Sequence, residues 1–129
     1  TIKSLDGGNP GFVNSSGTEV GILVKKWVNF NGQGTVSIRD SFGVSSITDH
    51  GTGTYSVNYN GNMSNENYAA NITAGGNGYN GFCVAFGTGD SDTSYIFTGS
   101  VQFNLRGGDG GGGANRDALS VCVMVTGDN

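Results

Sequence analysis

The chain has 129 residues and a mass of 13.2 kDa, which suits one domain able to bury a core without metal or disulfide staples. Charged residues make up 12%, about half the usual share of roughly 25%, while 25 glycines stand far above the usual roughly 7%; this balance argues against a helical bundle and for a turn-rich β protein. A net charge of −4, with six cations that cluster only at Lys25 and Lys26, leaves no basic surface for nucleic acid.

No run approaches the roughly 18 apolar residues of a membrane helix, and no charged-then-apolar leader opens the chain, so a soluble protein without membrane insertion is expected. The first residue is Thr1 and not Met, which fits a processed form and a piece of a longer protein equally.

Residues 1–18 are polar, hold the only proline, Pro10, and lack the apolar content to fold alone. They read as an arm or linker, ordered most easily by lying on a neighbouring subunit, ahead of a domain spanning 19–129. From Glu19 the pattern alternates: Val20, Ile22, Val24, Lys26, Val28 and Phe30 fall on one side, Leu23, Lys25, Trp27 and Asn29 on the other. This predicts one long strand over 19–30. Leu23 and Trp27 make its second face apolar too, so a second sheet or a partner should cover Trp27.

Asn31 and Gly32 offer the positive φ of a tight turn. Val36 and Ile38 begin the next strand, residues 44–48 another, and Tyr55, Val57 and Tyr59 line one face of a third after the turn at 51–53. A single helical turn fits Ser64-Asn65-Glu66, ahead of a strand from Tyr68. Phe82, Val84 and Phe86 share a face, as do Ile96 with Thr98, and Val101 with Phe103 and Leu105; the last strand points Leu119, Val121, Val123 and Val125 inward, with Ser120, Cys122 and Met124 opposite. About eight short strands predict an all-β fold, an antiparallel two-sheet sandwich of jelly-roll-like form.

Trp27-Val28-Asn29-Phe30-Asn31-Gly32, then Ile38-Arg39-Asp40-Ser41, Val44-Ser45-Ser46-Ile47-Thr48-Asp49, the Gly-x-Tyr-x-Val run at 53–57 and Asn67-Tyr68-Ala69 form a series of strand and turn positions in register. This series resembles a structural domain of tailed-bacteriophage tail fibres and tail tips. The resemblance covers about residues 21–72, fits 118–125 as a last strand, and leaves 75–117 as this chain's own. It implies a virion protein assembled in the bacterial host cytoplasm, a homotrimer meeting other virion proteins, with non-catalytic binding to a host cell-surface glycan or protein.

The residues themselves select no catalyst. His50 is the only histidine and sits in an Asp-His-Gly turn, where Asp and Gly set backbone geometry. A threefold axis gathering three copies of His50 would make a metal site peculiar to this chain, since the resembled domains often carry Asn there. Asp90 and Asp92 open like a calcium loop, but the Gly at the sixth place and the Glu at the twelfth are missing. Asp90 and Asp117 are not singled out as a glycosidase pair by anything in the pattern. No metal or cofactor is implied.

Cys83 and Cys122 sit in apolar runs and read as small buried hydrophobes, free in a reducing cytoplasm, the alternative being a disulfide if their strands are neighbours on one face. Asn-x-Ser/Thr triplets begin at Asn14, Asn62 and Asn71 but matter only in a eukaryotic secreted protein. The glycine-rich segment 106–117 lacks the Gly-Lys-Ser/Thr ending of a phosphate loop. It reads either as a hairpin connection or as an exposed contact tip.

Receptor contacts are therefore expected in loops 75–81, 87–94 and 106–117, at Asn77, Tyr79, Asp90, Asp92, Tyr95, Arg106, Asp109 and Arg116. Tyr79, Phe82, Tyr95 and Phe97 are the aromatics placed to stack on sugars or, alternatively, to fill core and subunit contacts. Two other readings stand beside this one: a capsid decoration or fibre-building protein with no ligand, and a carbohydrate-binding module or depolymerase. The single histidine and scattered acids speak against an enzyme.

Overall fold

A computed structural model of the chain describes residues 11–76, 81–85, 95–107 and 113–127. Every regular element among them is a strand: β1 (Gly11–Val13), β2 (Glu19–Ile22), β3 (Val24–Asn31), β4 (Ser37–Phe42), β5 (Val44–Asp49), β6 (Thr54–Tyr59), β7 (Ala69–Gly75), β8 (Phe82–Ala85), β9 (Ile96–Phe97), β10 (Ser100–Gly107) and β11 (Ser120–Thr126). Two antiparallel sheets, ordered β4-β3-β11-β7 and β5-β6-β10-β8 with β9 also on β10, pack as a sandwich, and β1 pairs with β2 in a separate hairpin.

The central strands carry the core because each alternates with period two. Val28 and Phe30 of β3 and Val121, Val123 and Val125 of β11 face Tyr55, Val57 and Tyr59 of β6 and Val101, Phe103 and Leu105 of β10, all buried. Phe30 meets Tyr55 edge-on at a centroid distance of 5.3 Å, and Tyr55 lies 6.1 Å from Phe103, so the aromatic stack crosses from one sheet to the other. Met63 and Tyr68 close one end. The Tyr59 hydroxyl donates to the Tyr68 hydroxyl at 3.1 Å, and Tyr68 donates in turn toward the carbonyls of Phe97 and Ser100.

The sheets are joined by a one-residue corner. Phe42 ends β4 in one sheet and Val44 begins β5 in the other, with Gly43 between them at φ 68°. A Cβ there would sit 2.6 Å from the Lys26 side chain, so only glycine turns this corner without displacing Lys26. That lysine is itself buried on the core side, where its Nζ donates to the Asn60 carbonyl at 3.1 Å and lies 6.0 Å from the Tyr59 ring.

Several expectations are corrected. The jelly-roll order is absent among the described strands: a rolled chain alternates sheets at each strand, whereas β3–β4 and β5–β6 are neighbours within one sheet. The long strand over 19–30 breaks at Leu23, because β2 hydrogen-bonds to β1 while β3 joins the sandwich; Val20 and Val24 are consequently exposed. Trp27 lies on the outer face of its sheet, so the second sheet does not cover it, and within the chain it is partly buried. Leu119 precedes β11 and is exposed. The β3–β4 turn takes its positive φ at Gly34 and not at Gly32. Residues 64–66 bend without a helical turn, with the Asn67 amide donating to Asn65 Oδ1.

Neither cysteine is a buried hydrophobe. Cys83 is exposed and Cys122 partly so, both free, because each stands on the outward face of its strand. The β1–β2 hairpin straddles residue 18, so the division into arm and domain falls within it, while residues 1–10 lie outside the described residues.

This packing predicts a sharp contrast between two phenylalanines. Phe103→Ala should lower unfolding free energy by about 3–5 kcal/mol, whereas Phe42→Ala, at an exposed position, should stay within about 0.5 kcal/mol. Denaturant titration checks both, and comparable losses would contradict the register.

Candidate functional site

Asn77, Tyr79, Asp90, Asp92 and Asp109 lie outside the described residues, as does Phe86. Of the other loop residues singled out by the sequence, Arg106 and Arg116 are brought together and Tyr95 is not. Arg106 ends the exposed side of β10 and its backbone bridges to Asn115, while the Arg116 amide donates to the Leu105 carbonyl at 3.0 Å. The Tyr95 carbonyl accepts from the Gln102 amide at 2.8 Å, four residues back along β10, a separation of about 13 Å on an extended strand.

The segment carrying Arg116 is pinned by Asp117. Its Oδ1 accepts from the Gly53 amide at 2.8 Å and from the Tyr55 hydroxyl at 2.7 Å, and the same hydroxyl lies 2.7 Å from the Gly32 carbonyl, so its one proton is shared. Gly53 has φ 69° and lies against Arg116 and Leu105 backbone, where a Cβ would meet atoms at 2.7 Å. Burial first, then the hydrogen bond to Asp117, pushes the Tyr55 phenol far above its ordinary 10.0. These groups brace the fold.

His50 Nε2 lies 2.8 Å from the Ser56 hydroxyl, the pairing that nucleophilic catalysis requires. The orienting third group is missing: Asp49 Oδ1 accepts from the Gly51 amide at 2.9 Å, and no carboxylate among the described residues bonds the ring. Ser56 is also buried. The pair thus clasps the β5–β6 turn. Among the described residues no group of three or more His, Cys, Asp or Glu side chains is placed to hold a metal ion.

The two outer faces of the sandwich differ. On β5, β6 and β10 the outward positions are Ser46, Thr48, Thr54, Ser56, Asn58, Ser100 and Gln102, with the Asn58 amide donating to Ser46 at 3.0 Å and to Thr48 at 2.8 Å. On the other sheet a row runs Phe42, Trp27, Met124, Asn71, and two residues along each strand a second runs Asp40, Asn29, Cys122, Thr73. Between them opens a hollow of about 470 Å³ lined by Val24, Trp27, Asn29, Cys122 and Met124 among others. Arg39 reaches onto this face, donating to Asn29 Oδ1 at 3.0 Å and to the Leu119 carbonyl at 2.6 Å.

The loop-based expectation passed over this face, although apolar Trp27 and Met124 opposite the core-facing positions were its signal. What the sequence could not supply was Phe42, which arrives beside Trp27 only through strand pairing.

The buried phenols set a pH dependence. Burial, with the bond to Tyr68 next, raises the Tyr59 phenol, and burial raises Tyr68, from an ordinary 10.0. Each would ionise near pH 10 in the unfolded chain but keeps its proton in the fold, so stability is fully present below pH 10 and falls as pH rises further. Melting temperature should drop above about pH 10 and less steeply in Tyr59→Phe, which has one such phenol fewer; thermal melts across that range check it, and equal slopes would refute it.

No protein-family model, curated protein or solved structure matches this chain.

Proposed function

We propose that the chain is a non-catalytic binding domain of a tailed-phage fibre or tail tip, working as a homotrimer among other virion proteins and contributing to recognition of a host cell-surface glycan or protein. The observation that carries this reading is the β1–β2 hairpin. Phe12, Val13 and Val20 on it are 47%, 61% and 64% exposed, and it hydrogen-bonds to neither sheet of the sandwich. A two-stranded hairpin alone is marginally stable in water, so a hairpin with three bare apolar side chains gains most by packing on a second copy.

The family resemblance of residues 21–72 supports the virion setting. A trimer would also multiply weak surface sites by avidity. A decoration or fibre-building subunit would use the same hairpin; adsorption to host cells separates the two, being a property of the recognition domain alone.

Light scattering at micromolar concentration should give three times the 13.2 kDa chain mass. Phe12→Ser with Val20→Ser should shift the mass toward one chain while the β-type circular-dichroism spectrum persists. A monomeric unsubstituted chain would overturn the assembly reading.

A further inference from the structure

We propose that Asn60 is a site of spontaneous covalent modification, deamidating through a succinimide to leave a carboxylate on the buried Lys26 ammonium. Asn-Gly pairs stand at 31–32, 60–61, 77–78 and 80–81, and the first two lie wholly within the described residues. In such a pair the Gly nitrogen, once it has given up its proton, attacks the Asn side-chain carbon Cγ. The new N–Cγ bond closes the succinimide ring, the Cγ–Nδ2 bond breaks, and Nδ2 leaves as ammonia. Solvent water then adds to either ring carbonyl and opens the ring as a carboxylic acid.

The fold bars this reaction at one pair and permits it at the other. The Gly32 amide donates to the Ala118 carbonyl at 3.0 Å, and a Cβ placed on Gly32 would lie 2.8 Å from the Tyr55 hydroxyl, so this nitrogen is tied down in a crowded place. The Asn31 carboxamide is held as well, donating to the Gln33 carbonyl at 2.9 Å and accepting from the Gln33 amide at 3.2 Å. Asn60 and Gly61 are exposed instead, and neither the Asn60 carboxamide nor the Gly61 amide has a hydrogen-bond partner among the described residues. A Cβ on Gly61 would meet nothing within 4 Å, so the ring has room to close.

Lys26 selects how the ring opens. Its Nζ is buried, donates to the Asn60 main-chain carbonyl at 3.1 Å, and meets no carboxylate among the described residues. Water adding to that carbonyl gives isoaspartate: the chain then runs through Cγ, and the oxygen that Lys26 already touches belongs to the freed carboxylate. A donor on this oxygen polarises the carbonyl toward water and stabilises the charge that develops there. The Lys26 bond therefore favours isoaspartate over aspartate, gives a buried cation its counter-charge, and leaves the chain one charge more negative than −4.

The full chain is incubated in warm, mildly alkaline buffer, folded and in guanidinium, and its peptides are mapped by mass with isoaspartate and aspartate separated. In the fold, Asn60 should gain about 1 Da, and Asn31, which must break three hydrogen bonds first, should react at least about tenfold more slowly. In guanidinium the two rates should converge. The isoaspartate share at position 60 should be higher in the fold than in guanidinium, and should drop to the guanidinium value in Lys26→Met, whose fold circular dichroism checks. Asn60→Gln should abolish the product at that position.

Asn31 keeping pace with Asn60 in the folded chain would overturn the site, as would a folded Asn60 that stays intact while the denatured chain reacts. An isoaspartate share that is the same in the fold and in guanidinium would overturn the part assigned to Lys26, a comparison that needs no variant to fold.

Discussion

The architecture depends on Tyr55 and the crossing it makes between sheets. Its ring meets Phe30 of the opposite sheet and Phe103 of its own, while its hydroxyl reaches the Gly32 carbonyl and Asp117. Ring packing alone would let two sheets slide, since dispersion has little direction. The hydroxyl adds direction: it ties β6 at once to the end of β3 and to the segment that leads into β11. A buried phenol with satisfied partners is costly to unpair, so these three chain segments hold one arrangement.

With the interior settled in this way, the outer faces are left to carry whatever distinguishes this sandwich. The face of β5, β6 and β10 is a lattice of short polar side chains that bond one another and give water an ordinary surface. The face of β3, β4 and β11 places large apolar groups beside amides and one pair of opposite charges. The β1–β2 hairpin upstream carries exposed apolar side chains of its own, apart from both of these faces.

Much of the core was legible in the chain because burial on one side of a strand imprints period two. Val101, Phe103 and Leu105, or Tyr55, Val57 and Tyr59, need no tertiary information to be assigned inward, and all are buried. The same logic failed where the pattern outran the hydrogen bonding. Val20 and Val24 continue the alternation of Val28 and Phe30, yet Leu23 breaks the strand and β2 pairs elsewhere, so they remain in water. Leu119 failed for a like reason, lying just ahead of β11. Cys83 and Cys122 looked buried by composition, but strand phase turns both outward.

The motif residues show the division most clearly. Trp27-Val28-Asn29-Phe30 by itself determined that alternate residues part to opposite faces, and the neighbouring strands could be read by the same rule. Which face met the second sheet, and which side chains from β4 and β11 would stand beside Trp27 and Asn29, was decided only by register: Phe42 is fifteen residues away and Met124 nearly a hundred. Local sequence fixes the period of a strand because side-chain direction follows from the backbone of that strand alone. Neighbours across a sheet are chosen by the hydrogen-bond ladder and by packing of the whole core, and no short stretch of chain contains that information.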